Sequence, residues 1–239
     1  MSQQLQNAHR RHEHGNVLFI ILIAVVLIGL LTAAIQSSNN SDSANIDDEN
    51  LAIKITQVQS YASELERAVL YIMESGKSES DIRFAHAEAH TDYGDLSADA
   101  DPSDQVFHRD GGAANYRTPP TGLNDGSAWE FYGATHLPAI GTGRADLIAV
   151  LPNVTQAFCD RINVINGQSG TPSDPATCLG NVVTDRFDDG NQFASSANTV
   201  DEATFEQDPT YSAVRAAPQA CVRCAADSNN YFYHVLLAR

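Results

Sequence analysis

Four cysteines, Cys159, Cys178, Cys221 and Cys224, are the residues of this 239-residue chain whose type and spacing suggest chemistry. Cys221-Val222-Arg223-Cys224 has the CxxC spacing of redox motifs. A thioredoxin-like pair needs its first thiol at a helix N-terminus within a βαβ pattern, where the helix dipole favours the thiolate. Here the motif follows Pro218 and leads through Asp227-Ser228-Asn229-Asn230 into a β-prone stretch, so the context is wrong. No His follows Cys224, which excludes haem attachment of the CxxCH type. A zinc site would want a second close Cys or His pair, and Cys159 and Cys178 stand nineteen residues apart. Structural disulfides are the expectation. Four cysteines allow three connectivities. Cys159–Cys178 with Cys221–Cys224 is one, and tying the 159/178 region to the C-terminal strand is another.

Two acidic tracts could supply oxygen ligands to calcium: Asp92, Asp95, Asp99, Asp101, Asp104 and Asp110, then Asp185, Asp188 and Asp189. Neither matches the EF-hand spacing with its Gly and terminal Glu, so a solvated acidic surface is expected and no metal site. His86, His90, His108, His136 and His234 are scattered, with no HExxH, GxSxG or P-loop pattern. His9, His12 and His14 lie beside Arg10 and Arg11, in a short basic leader rather than a metal tract. Neither a catalytic residue nor a cofactor is expected, and the chain does not read as an enzyme.

The elements that would position these residues begin with an apolar block. Val17–Ile35 reads VLFIILIAVVLIGLLTAAI, with no charge and Thr32 as its one polar side chain. Nineteen residues make about 29 Å of helix, which matches a bilayer core. The basic residues precede the block, while Asp42, Asp47, Asp48 and Glu49 follow it. That asymmetry keeps the N-terminus in the cytoplasm and sends the rest across. A cleavable secretory signal is the competing reading, with Thr32-Ala33-Ala34 as its cleavage candidate, but such apolar regions run to only about 7–15 residues. The chain carries 14 basic and 30 acidic side chains. Setting aside Arg10, Arg11 and Glu13 leaves 12 basic and 29 acidic residues beyond the block, a net of −17. Such a surface repels phosphate backbones, which excludes nucleic acid as a partner.

The basic leader ends in Gly15, and the apolar helix starts at once with Asn16-Val17-Leu18-Phe19. This junction resembles the class III signal of type IV prepilins and of type II secretion pseudopilins. The resemblance implies cleavage between Gly15 and Asn16 by a prepilin peptidase, and an apolar helix retained for packing against other pilin-like subunits. The fifth mature position, where family members usually carry Glu, is Ile20, which points toward a minor subunit. Segments 125–131 and 231–239 are similar to stretches of uncharacterised pilin-like bacterial proteins. A bacterial inner-membrane location follows, with the C-terminal domain in the periplasm or on a surface filament.

Beyond the block, residues 36–50 are rich in Ser, Asn and Asp and read as a linker, with Asp47 or Asp48 as the cap of a following helix. Leu51, Ile55, Val58, Ala62, Leu65, Val69 and Ile72 then recur at spacings of three and four, predicting an amphipathic helix stopped by Ser75-Gly76. Residues 77–128 read as loops and short strands. Strands are predicted at Trp129–Phe131, Asp146–Leu151 and Asn230–Leu237, and a helix from an Asn153 cap to Ile165. Residues 166–229 read as loop-rich. The expected fold class is α+β: a transmembrane helix, an amphipathic helix, then a loop-rich domain with an antiparallel sheet. The expected divisions are a cytoplasmic leader (1–15), the transmembrane helix (16–36), a polar linker (37–50) and an extracytoplasmic acidic domain (51–239).

Overall fold

The computed structural model describes residues 14–137, 140–168, 170–174, 179, 186–188, 192–193, 198–200 and 217–239; the side chains of 14–18, 33–46 and 198–199 lie outside the description. The chain divides into two compact units, Met1–Leu51 and Ala52–Arg239.

A single helix, α1, spans His14–Glu74. The backbone of 36–50 is therefore helical, not the irregular linker read from its composition, and neither Asp47 nor Asp48 is a cap. Propagating a helix costs far less than nucleating one, so Ser, Asn and Asp are carried along between two strong helix formers. In the first unit, every described side chain from Phe19 to Thr32 is exposed. Among the described residues no helix is long and apolar enough to cross a membrane. Of the block Val17–Ile35, only residues 19–32 have described side chains.

In the second unit the helix behaves as the spacing predicts. Ile55, Val58, Ala62, Leu65, Val69 and Ile72 are all buried, and Gly76, at φ +95°, ends the run in a conformation that suits glycine. The predicted loop tract 77–128 contains four single-turn 3₁₀ segments, at Glu79–Asp81, Thr91–Tyr93, Leu96–Ala98 and Pro102–Asp104. The strands are β1 (Glu130–His136), β2 (Asp146–Leu151), β3 (Ser173–Asp174), β4 (Asn198–Thr199), β5 (Gln219–Cys224) and β6 (Asn230–Leu237), with α2 (Gln156–Ile165) between β2 and β3. Among the described residues they form one six-stranded sheet in the order β3-β5-β6-β2-β1-β4.

The class is α+β, and the sheet is mixed rather than purely antiparallel. Its four inner strands pair antiparallel, and the two-residue strands β3 and β4 add parallel at the edges. β5 falls in the stretch read as loop, because its apolar run is only Ala220, Cys221 and Val222, flanked by Gln219 and Arg223, and shows no alternation. The helix cap also differs. Thr155, not Asn153, accepts the Phe158 N–H, while Asn153 sits at φ +56° in the turn ahead of the cap.

Alternation along β6 separates two cores. Phe232 and His234 face the helices: Phe232 meets Trp129 and Phe158 edge-on, at 6.2 and 5.5 Å between ring centroids. Tyr233 and Val235 face the other way, into a cluster with Tyr132, Ile148, Val150, Ala220 and Val222. A third aromatic group caps β1, where Phe84 stacks on Phe131 at 4.0 Å.

Candidate functional site

The disulfide pairing decides between the alternatives the sequence leaves open. Cys159 on α2 bonds Cys221 on β5, so neither Cys159–Cys178 nor Cys221–Cys224 forms. The reason is strand geometry: residues three apart on a strand point to opposite faces, so Cys221 looks at α2 and Cys224 looks away. Cys224 is also disulfide-bonded, and Cys178 lies outside the described residues. Asn163, one turn beyond Cys159, is fully buried and pairs with the backbone of Cys221, accepting its N–H at 2.9 Å and donating to its carbonyl at 3.0 Å. One face of α2 is thus tied to one residue of β5 both covalently and by hydrogen bonds.

Between residues 52–74 of α1 and the sheet runs a polar seam that the sequence reading did not single out. His234 is buried on β6, and its Nε2 lies 2.9 Å from Oε2 of Glu66. Its Nδ1 is buried with no partner among the described residues. Burial holds its pKa below the ordinary histidine value, against the smaller upward pull of Glu66. The signal was present in the sequence: His234 alternates with Phe232 and Leu236, so it had to share their buried face.

Further along the same helix, a cleft of about 200 Å³ is lined by Gln57, Val58, Tyr61, Arg117, Pro120 and Trp129 among others. Tyr61 packs edge-on against Trp129 at 5.5 Å and its hydroxyl accepts the Arg117 backbone N–H at 3.1 Å. The Arg117 guanidinium lies 5.5 Å over the Tyr61 ring and pairs with Glu64. Burial pushes the Tyr61 hydroxyl well above the usual phenol range. Nearby, Lys54 Nζ donates to the Thr121 carbonyl.

A second buried polar group closes the far side of β1. Arg186 grips Glu130 through Nε and Nη2 at 2.6 and 2.9 Å, and reaches Asp92 through Nη1 at 2.8 Å. Tyr93 donates to Glu130 at 2.8 Å and accepts the Phe131 N–H at 2.7 Å. This clamp holds the 3₁₀ turn at Thr91–Tyr93 against the sheet.

The remaining candidates from the sequence are turn builders. Asp95, Asp99 and Asp101 each accept the backbone N–H two residues on. Asp101 also pairs with Lys77, which lowers its pKa to about 2. His86, His90 and His108 accept in the same i+2 manner through Nδ1. Among the described residues no three His, Cys, Asp or Glu side chains stand together to hold a metal ion. His9, His12, Asp185 and Asp189 lie outside the described residues. Gly15 and Asn16 fall in the first turn of α1, where backbone N–H groups have no intrahelical partner, and their side chains are outside the description.

No family model, no curated protein and no solved structure matches the chain.

Proposed function

We propose that this chain is a pilin-like or pseudopilin-like structural subunit. It is held in the bacterial inner membrane by residues 17–35 and assembles through that helix, with its acidic domain in the periplasm or on a surface filament. The observation that carries the reading is the Gly15–Asn16 junction at the head of α1, followed by apolar side chains from Phe19 to Leu31 that are all exposed. A helix apolar on every side finds its cover in lipid or in other copies of itself, not in its own domain. Gly29, whose Cβ position is open, leaves a small-residue point for close helix approach. The lay of residues 52–74 on an antiparallel sheet core supports the same reading. The role is assembly rather than catalysis; a prepilin peptidase and other pilin-like subunits are the implied partners, and a net charge of −16 argues against nucleic acid.

The test is the mass and N-terminal sequence of the membrane-extracted protein from its native host. A start at Asn16 is expected. A start at Met1 or Ser2 removes the prepilin reading, and a start beyond Ala34 removes the anchor. The donor-lined cleft at Tyr61 and Trp129 favours a second reading, a non-polymerising, membrane-anchored binding domain in the periplasm or at the surface. That reading predicts an intact Gly15–Asn16 bond and a monomer after mild detergent extraction.

A further inference from the structure

The cleft beside α1 presents hydrogen-bond donors that the protein leaves without acceptors. Tyr61 and Trp129 line it and are 3% and 1% exposed. Yet among the described residues nothing accepts the Tyr61 hydroxyl hydrogen or the Trp129 indole N–H. The third donor is Arg117. Its backbone is fixed by the Tyr61 hydroxyl and its head is 52% exposed, and Glu64 takes one hydrogen bond from Nη2. A guanidinium carries five N–H donors, so most of that fork remains open. Val58 and Pro120 supply the apolar part of the wall. A cation would meet Arg117. A small anion with an apolar stem satisfies every one of these groups.

We infer that the cleft between Gln57–Tyr61 of α1 and the 117–120 segment binds a small organic carboxylate. Its oxygens accept from Arg117 and from the Tyr61 and Trp129 donors, and its short apolar stem lies against Val58 and Pro120. The inference stands whether the chain polymerises or not, since the cleft lies wholly within the unit Ala52–Arg239.

Trp129 is the sole tryptophan of the chain, so its emission reports on this cleft alone. The experiment titrates the full chain, in detergent, with sodium butyrate at constant ionic strength, with butyramide and sodium chloride as controls. A saturable change in Trp129 emission with butyrate and none with either control is expected. Arg117→Gln, at a half-exposed position, should weaken butyrate by about tenfold or more, the cost of one charge-assisted hydrogen bond, with an unchanged thermal midpoint showing that the domain is folded. Tyr61→Phe should weaken it less. An absent response, a response equal to that of butyramide or chloride, or an Arg117→Gln protein that binds butyrate as tightly as the parent overturns the proposal.

Discussion

Residues 19–32 and residues 52–74 belong to one helix and bury their apolar side chains to opposite extents. Leu22, Leu27 and Leu31 are 56%, 60% and 62% exposed, while Leu65, Val69 and Ile72 are fully buried. The difference is one of pattern rather than of hydrophobicity. In 52–74 the residues from Ile55 to Ile72 at spacings of three and four form one stripe that a single face of the domain covers, while Ile53, Leu70 and Tyr71 lie outside it and stay exposed. In 19–32 the apolar residues surround the helix, and no one face of a domain can cover them. A helix of the first kind is part of a core; one of the second kind asks for a continuous apolar surround.

The sharpest way to break that contrast is to remove the same group from both segments. Leu65→Ala should destabilise the domain by about 2–5 kcal/mol, measured by chemical denaturation, because the fully buried site is left with a cavity. Leu27→Ala should leave the same unfolding transition unmoved, since its side chain is 60% exposed and leaves no cavity when trimmed. A large effect of Leu27→Ala would erase the distinction.

Removing the staple on the sheet's helix face comes next. Cys159→Ser with Cys221→Ser opens a link spanning 62 residues and should cost about 2–4 kcal/mol, read as a lower thermal midpoint. Unchanged stability would mean that Asn163 and the α2 packing hold β5 without the bond.

The seam gives a pH dependence of known sign. His234 has its pKa lowered in the folded protein, so the unfolded chain binds the proton more readily. Its contribution to stability is complete above the unfolded value of about 6.5 and is lost as pH falls through the folded value. His234→Gln should flatten this part of the stability–pH curve, and an unchanged slope between neutral and mildly acidic pH would assign it elsewhere. The smallest effect is expected from Thr155→Ala, which removes the α2 cap and should cost about 1 kcal/mol by the same denaturation assay.

Legibility in the sequence followed periodicity. The stripe of 52–74 was readable from buried positions that recur at helical spacing, and β2 and β6 from short, nearly continuous runs of apolar and aromatic residues. β5 was not, since Gln219 and Arg223 interrupt a run that holds only Ala220, Cys221 and Val222 as consecutive apolar residues, too short to mark a strand. The Asn153 cap was misread because Asn also favours the left-handed conformation that it adopts here. Of the polar sites, His234 could have been found from its place between Phe232 and Leu236. The Arg186–Glu130–Asp92 clamp could not: its members are 94 residues apart at the widest, and nothing local marks them as partners.

The amino-acid sequence by itself determined the apolar block and its junction, the acidity of the remainder, the amphipathic stripe and the central strands, all properties of neighbouring residues. Only the tertiary structure decided that Cys159 pairs with Cys221, that His234 meets Glu66, and that Tyr61, Arg117 and Trp129 gather around one cleft. Those contacts join residues far apart in the chain, and which of them form depends on strand order and on the face each side chain takes, which no local pattern encodes.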